Sequence, residues 1–335
     1  MRIGIIGAGA VGGALAALLA RAGHHVDVTA RGESLAAIRS GGLRLTGAWG
    51  DYTAALETDT ELRHGAELAI VATKAQDAIA AVHSSARVLS GIPVLVVQNG
   101  LAPLDAMRAL IPNADVIGGL ALFAVSYLSP GAVHVTASGP LVIGGDRDQA
   151  GLASLFTASV LGAVLPVEIA PDFVGAQWTK LIVNQVNALP AITGLSAQEV
   201  IAHPSLRRLM TAGIREQIRV GRASGVRFGA LQGLSHRMLR VIEALPLQAA
   251  TVLPRALARR MGEVPNPGST QQSIRRGSPT EIDHLNGAVV AAGLVSGVPT
   301  PVNAAMVELV HEVETSGVFL TPAAVVARVI LTSPA

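Results

Sequence analysis

The spacing of apolar positions divides the chain into two halves. Through the first half, short β-branched runs alternate with alanine-rich stretches. Arg2–Ile6, His25–Thr29, 68–73, Pro93–Val97 and 116–118 are compact apolar runs bounded by turn residues, and 11–22 is a helical stretch stopped by Gly23. Short apolar strands separated by helices predict a parallel, doubly wound sheet with both faces covered. The runs 132–135 and 140–144 read as a hairpin that closes this half. After Pro166 the period becomes helical. Segments lie near 172–195, 205–224, 228–245, 247–262 and 280–296, and a last helix runs from Pro301 to about Ser316. The boundary is placed at Ala170-Pro171, giving domains over 1–170 and 171–335. Length agrees, since a typical domain holds about 100–200 residues.

Composition removes several function classes. Half of the 335 residues are apolar and 14% are charged, so both domains have material for a core. Aromatics are 3%, too few to stack nucleic-acid bases, and the net charge of +2 comes from scattered Arg and Lys. The pI near 9.5 reads as near-balance rather than a basic face, and no nucleic-acid partner is expected. Cysteine is absent, which excludes disulfides and thiolate chemistry and fits a cytoplasmic protein. The charge-free run 3–20 approaches the length of a spanning helix. Its first half is crowded with Gly4, Gly7, Gly9, Gly12 and Gly13, however, and glycines in this pattern make a better turn than the continuous apolar run of a membrane helix or secretory leader. No membrane partner is expected.

Those glycines carry chemistry. Gly7-Ala8-Gly9-Ala10-Val11-Gly12 is G-x-G-x-x-G between a strand and a helix, followed by a second strand. The first glycine allows the tight turn, the second lets backbone approach a pyrophosphate, and the third lets helix and strand pack closely. The helix N-terminus adds N–H donors and partial positive charge. The fold class expected is therefore α/β, an N-terminal Rossmann doubly wound parallel sheet with a mostly α-helical C-terminal domain. Coenzyme choice is written at the end of the second strand, where an acid would bind the ribose hydroxyls of NAD. Thr29-Ala30-Arg31-Gly32 has no acid there, and Arg31 offers a guanidinium to a 2′-phosphate, which points to NADPH. Glu33 could instead turn inward to a ribose. Lys74 and Asn99-Gly100 follow the next two strands, at the carboxyl edge where open α/β sheets bind ligands. A helix start and a turn are the plain structural alternatives.

The second informative stretch is Trp178 through Leu189. On one continuous helix Lys180, Asn184 and Asn187 fall within a stripe of about 60°. Leu181, Ile182, Val183, Val186 and Leu189 make the other faces apolar. An amine and two amides on a buried helix need partners, and a substrate carbonyl, carboxylate or hydroxyl would suit. An internal polar seam, or a lysine reaching solvent, is the alternative. His24, His25, His203, His236, His284 and His311 show no metal-ligand spacing, and no metal is expected.

Taken in order, the glycine loop, Val71-Ala72-Thr73-Lys74, Gln98-Asn99-Gly100 and Trp178 through Asn187 resemble the ketopantoate reductase (2-dehydropantoate 2-reductase) family. So do Asn266-Pro267-Gly268-Ser269 and Thr280-Glu281-Ile282-Asp283-His284-Leu285-Asn286-Gly287. The resemblance spans essentially the whole chain. It implies Lys180 as general acid, with Asn99 helping to hold it and the nicotinamide side of the pocket. It also implies Asn184, Asn187, Asn266, Ser269 and Glu281 as substrate-facing groups, and Lys74 near the coenzyme. Two departures fall on the substrate side. Many members place the last amide eight residues after the lysine, whereas Asn187 is seven after, and Ser273 stands where an acid is often found. Glu281 also fits a capping box, Ser278-Pro279-Thr280-Glu281, with Pro at the first helical position.

The expected reaction is hydride transfer from NADPH to the carbonyl of a small 2-keto acid, ketopantoate giving pantoate. Lys180 would stabilise the growing oxyanion and deliver its proton. Burial would lower the amine towards neutrality. A different 2-keto or 2-hydroxy acid, or a non-catalytic NADP(H)-binding sensor, are the rival readings. The apolar helical half fits a homodimer.

Overall fold

The computed structural model describes residues 1–101, 104–145, 151–262 and 264–329. It divides into two compact units, Met1–Phe173 and Val174–Ala335.

The first unit runs β1 (Arg2–Ile6), α1 (Ala10–Arg21), β2 (His25–Thr29), α2 (Gly32–Gly41), β3 (Leu43–Gly47), β4 (Tyr52–Ala54), β5 (Glu57–Asp59) and β6 (Leu68–Val71). It continues with α3 (Ala75–Leu89), β7 (Pro93–Val97), α4 (Leu104–Leu110), β8 (Asp115–Ala121), β9 (Ala124–Ser129), β10 (Ala132–Ala137), β11 (Leu141–Gly144), α5 (Leu152–Gly162) and β12 (Val167–Ile169). Among the described residues eight strands form one sheet in the order β12-β11-β8-β7-β6-β1-β2-β5. The run from β8 to β5 is parallel throughout, and β11 enters antiparallel to β8. The central strands are buried almost end to end, as strands covered on both faces must be.

The expected hairpin at 132–144 does not form. β10 pairs with β9 and β3 in a separate four-stranded sheet, β4-β3-β10-β9, whereas β11 joins the main sheet between β8 and β12. Burial explains the separation. β11 is buried at every position, but β10 alternates between inside and outside. A two-sided strand and a one-sided strand belong to different layers. The small sheet packs on α1, where a Cβ added at Gly13 would lie 3.1 Å from Val133 Cγ1 and 3.5 Å from Leu43 Cδ1. Helix α1 thus meets apolar side chains of two sheets, which accounts for its burial from Gly12 to Leu19. Its sequence, uncharged up to Arg21, is that of a core helix. No helix among the described residues is long and apolar enough to cross a membrane.

The second unit comprises α6 (Phe173–Asn184), α7 (Ala188–Thr193), α8 (Ala197–Ala202), α9 (Pro204–Ala223), α10 (His236–Ala244), α11 (Leu247–Ala250) and α12 (Val252–Met261). After these come α13 (Gly268–Arg275), a 3-10 turn (Ile282–His284), α14 (Asn286–Ser296), α15 (Pro301–Ser316) and α16 (Pro322–Arg328). The central element is α9, packed by α8, α10, α11, α12, α14, α15 and α16.

Three helices are shorter than their periodicity predicts. The segment 172–195 breaks after Asn184. Gln185, Val186 and Asn187 donate to carbonyls three residues back, and α7 restarts with Asn187 at its N-cap. Pro190 is the physical reason, because it has no N–H for the Val186 carbonyl and its ring would strike that carbonyl in a straight helix. The segment 228–245 is helical only from His236. Gln232 and Gly233 adopt positive φ in a tight turn, and Ser235 Oγ accepts from the Met238 N–H to cap α10. The segment 280–296 begins as the 3-10 turn and becomes α-helical at Asn286, because Leu285 has a non-helical backbone.

A buried amide network anchors the C-terminal end of α6. Gln185 Nε2 donates to Gln217 Oε1 (3.1 Å) and Asn303 Oδ1 (2.8 Å), and Asn286 Nδ2 donates to Gln185 Oε1 (3.1 Å). Gln217 Nε2 donates to the Trp178 carbonyl (3.0 Å). Glu216 accepts from the Val302 and Asn303 N–H groups at 2.9 Å each, holding the N-terminus of α15. A buried network with its bonds made fixes one packing of the helices around it.

Candidate active site

The glycine loop is formed by close approach. Gly7 has φ +106°, and a Cβ on Gly12 would lie 1.9 Å from the Gly7 carbonyl oxygen. The Gly7 N–H donates to Thr29 Oγ1 and the Ala8 N–H to the Thr29 carbonyl, both at 2.9 Å. Gly9, the N-cap of α1, has no heavy atom within 4 Å of its Cβ position and no side chain to cap the helix. The amides of Gly7 and Ala8 are therefore bound inward, while Gly9 leaves open space in front of the uncapped N-terminus of α1. That arrangement suits the phosphates of a dinucleotide.

The neighbouring strand ends carry further polar groups. Arg31 is exposed just after β2, at the N-cap of α2. Asp59 on β5 is paired in register with Thr29, but its carboxylate is engaged by Arg63 (3.0 Å) and Arg39 (3.6 Å). Glu33 is exposed on the first turn of α2. Lys74 is the half-buried N-cap of α3, and Asn99 is half-buried just after β7. Between them Gln98 Nε2 reaches the Thr73 carbonyl at 3.5 Å, while Gln98 Oε1 and Thr73 Oγ1 are buried without a hydrogen-bond partner. Orphaned polar atoms at the carboxyl edge of the sheet, beside an open glycine loop, fit a bound nicotinamide coenzyme.

In the second unit the candidate polar stripe lies on α6. Lys180 is half-buried and, among the described residues, has no carboxylate or hydrogen-bond partner. Burial pushes its amine down to about 8. One turn on, Asn184 is buried and its Nδ2 has no partner, although the amide of the next residue, Gln185, is fully engaged. One turn back, Gln177 is also buried with an unpartnered Nε2. The stripe on α6 is thus Gln177, Lys180 and Asn184, i, i+3 and i+7 on one face. The Asn187 position expected at its far end lies beyond the helix break. Gln177 lies outside the stripe expected from the sequence, although its spacing of three residues before Lys180 is the signal that marks it.

Asn187 instead faces α13: a Cβ on Gly268 would lie 2.6 Å from Asn187 Oδ1. Asn266 Oδ1 accepts from the Gly268 N–H (2.9 Å), and Ser269 is exposed at the second position of α13. Asn187, Asn266 and Ser269 therefore cluster at one helix start, with Thr270 Oγ1 and Gln271 Oε1 buried and unpartnered beside them. Glu281 is half-buried, immediately before the 3-10 turn. The capping box does not form, because the Ser278 N–H is bound to the Ser273 carbonyl (3.0 Å) and the next α-helix starts only at Asn286. The segment is held from outside: the Thr280 N–H donates to Glu314 Oε1 (2.6 Å), and His311 bridges Glu314 (2.7 Å) and Asp283 (3.0 Å).

The N-terminal ketopantoate reductase PanE/ApbA family model matches residues 3–147, and its C-terminal counterpart matches 172–314. The crystal structure of a PanE/ApbA family ketopantoate reductase from Ralstonia eutropha is 31% identical, with a TM-score of 0.80, covering 94% of this chain and 99% of that one. The 2-dehydropantoate 2-reductase of Halobacterium salinarum is 27% identical over 95% of this chain and its own full length. A D-mandelate dehydrogenase, solved with NADH and anilino(oxo)acetate, shares the fold at a TM-score of 0.82 and 22% identity, over 94% of this chain and 99% of that one. Two family models in tandem, and a relative aligned over almost its full length, establish that the chain belongs to the ketopantoate reductase PanE/ApbA family of pyridine-nucleotide-dependent oxidoreductases acting on CH–OH groups.

Proposed function

We propose that the chain reduces 2-dehydropantoate (ketopantoate) to pantoate with NADPH, with Lys180 as general acid. The observation that carries the reading is the Lys180 amine, pushed down to about 8 by burial and set between two buried amide donors, Gln177 and Asn184. The bound coenzyme supplies a hydride to the keto carbon. As negative charge grows on the carbonyl oxygen, the Lys180 ammonium stabilises it and transfers its proton there, leaving a neutral amine that solvent reprotonates. Asn184 Nδ2 and Gln177 Nε2 supply N–H donors to substrate oxygens. Asn187, Asn266 and Ser269 bind the polar end of the acid, and Glu281 accepts from its hydroxyl. Asn99 holds the nicotinamide side, and Lys74 lies near the coenzyme.

NADPH is preferred over NADH because Arg31 is exposed at the end of β2 while the neighbouring Asp59 is engaged by two arginines. The glycine loop would hold the pyrophosphate. Oxidation of NADPH against a panel of 2-keto acids, with wild type and Lys180→Ala, tests the whole reading. Ketopantoate should be turned over fastest, and the variant should lose orders of magnitude in turnover with coenzyme affinity nearly kept. Unchanged turnover in the variant would remove Lys180 from the chemistry. A different preferred acid would support the second reading, a family member with another 2-keto substrate. The early Asn187 and the buried Ser273 on α13 favour that alternative.

A further inference from the structure

The arginines are not scattered once the chain is folded. Residues 204–260 hold eleven arginines and two carboxylates, Glu216 and Glu243. Both carboxylates are engaged, Glu216 at the buried N-terminus of α15 and Glu243 by Arg222. Three arginines besides Arg222 are bound to carbonyls: Arg207 at the end of α8, Arg215 at Glu243 and Arg260 at Gln232. The remainder give this part of the second unit an excess of positive charge.

Three of the eleven arginines line an open cleft of about 420 Å³, formed by Arg222, Gly225, Val226, Arg227, His236 and Arg240. Just beyond the end of α9, Gly225 with a φ of +74° turns the chain sharply, and the Val226 N–H returns to the Gly221 carbonyl (2.8 Å). This turn brings Arg227 round to face α10. Arg227 and Arg240 are exposed and, among the described residues, have no carboxylate partner. His236 Nδ1 accepts from the Phe228 N–H (3.3 Å), which leaves Nε2 as the ring's free N–H donor in the neutral tautomer. Behind the lining His236, Phe228 is 2% exposed, edge-on to Trp178 at 6.5 Å and tilted against His236 at 6.0 Å.

We propose that this cleft is a second anion site, binding the phosphate or diphosphate group of a small soluble molecule. Two free guanidiniums and an imidazole N–H around one concavity offer the forked, charge-assisted donors that phosphate oxygens need. The volume lies within the range of small-ligand sites, about 300–1,000 Å³. No Phe, Tyr or Trp lines the cleft, so there is no platform of that kind to stack a nucleic-acid base. Trp178, two residues before Lys180 on α6, packs edge-on against Phe228, the ring behind the lining His236, and so serves as a reporter of occupancy.

Calorimetric titration with inorganic pyrophosphate tests the site in three proteins. These are the wild type, Arg227→Glu/Arg240→Glu, and Gly9→Asp, which puts a carboxylate into the glycine loop. The expected result is saturable, salt-sensitive binding that weakens by about tenfold or more in the double variant and survives in Gly9→Asp. In a Trp49→Phe background the same titration should change Trp178 fluorescence. Absence of saturable binding would overturn the proposal, as would binding unaffected by the double variant or lost only in Gly9→Asp. Sedimentation with phosphatidylglycerol vesicles without pyrophosphate binding would overturn it in favour of a membrane surface.

Discussion

Gly12 and Gly7 are so close that a Cβ on Gly12 would lie 1.9 Å from the Gly7 carbonyl oxygen, whereas Gly9 between them has open space at the same position. Two substitutions therefore separate folding from binding. Gly12→Ala drives a methyl into backbone and should cost about 1–3 kcal/mol or more, lowering the melting temperature and abolishing coenzyme binding together. Gly9→Ala should leave the melting temperature within about 2 °C of wild type, since an exposed, unstrained change costs little. Its coenzyme affinity should still fall, because the methyl stands where a phosphate oxygen approaches. Thermal melts and coenzyme titration of both variants check the contrast.

The lowered amine at Lys180 fixes the direction of a pH profile. Reduction requires the ammonium, so its rate should fall as pH rises through about 8, while the reverse oxidation should rise there. Stability moves too. Between about 8 and about 10.4 the unfolded lysine holds a proton that the folded one has lost, so stability should increase with pH across that window. Lys180→Arg, which stays protonated, should flatten the reductive profile around pH 8 whatever its residual rate. A wild-type profile flat from pH 6 to 10 would contradict the assignment.

Asn184 and Gln185 are sequence neighbours with opposite expected phenotypes. Asn184 Nδ2 has no partner in the fold, so Asn184→Leu should keep or raise the melting temperature while raising the KM for the keto acid by about tenfold. Gln185→Leu strands the amides of Gln217, Asn286 and Asn303, and should lower the melting temperature by several degrees. Gln177→Leu should follow Asn184. Steady-state kinetics and thermal melts on the three variants decide this.

Arg31→Ala should change coenzyme preference more than rate. Losing a guanidinium on a 2′-phosphate should weaken NADPH by about tenfold to a hundredfold and leave NADH nearly unchanged. Equal loss with both coenzymes would make Arg31 a pyrophosphate or structural group instead.

His311 gives a pH signature outside the proposed chemistry. Burial alone would lower it, but the hydrogen bonds and charges of Asp283 and Glu314 outweigh that and hold it above its ordinary value. A raised folded pKa contributes stability that is full below about 6.5 and lost as pH rises through the raised value. His311→Ala should therefore lower the urea midpoint at pH 5.5 more than at pH 9. It should also raise the KM for the keto acid, because Glu314 binds both His311 and the Thr280 N–H beside Glu281.

The first unit was the more legible part of the sequence. Its parallel strands declare themselves as continuous apolar runs, and the glycine loop combines a positive φ at Gly7, close packing at Gly12 and open space at Gly9. The small sheet was hidden in part because Tyr52–Ala54 is too short to show a period, as is the edge strand Glu57–Asp59 of the main sheet. In the second unit periodicity located the helices but not their breaks, which depend on single residues such as Pro190 and Leu285. The α6 stripe was half legible: Lys180 and Asn184 follow from helical spacing, but Asn187 needed the break to be seen. The basic cleft was not legible at all, since its arginines are separated in sequence and gathered only by the turn at Gly225.

The amide network at the end of α6 also orders events in time. Gln185 meets its Asn303 partner across 118 residues, and Asn303 meets Glu216 across 87. Contacts that distant close slowly, because the intervening chain must first surrender its freedom. During synthesis, a chain that has not yet reached residue 303 exposes Gln185, Gln217 and Glu216 with their partners missing. The second unit should therefore lock late and all at once, and a nascent chain stopped short of α15 should remain protease-sensitive.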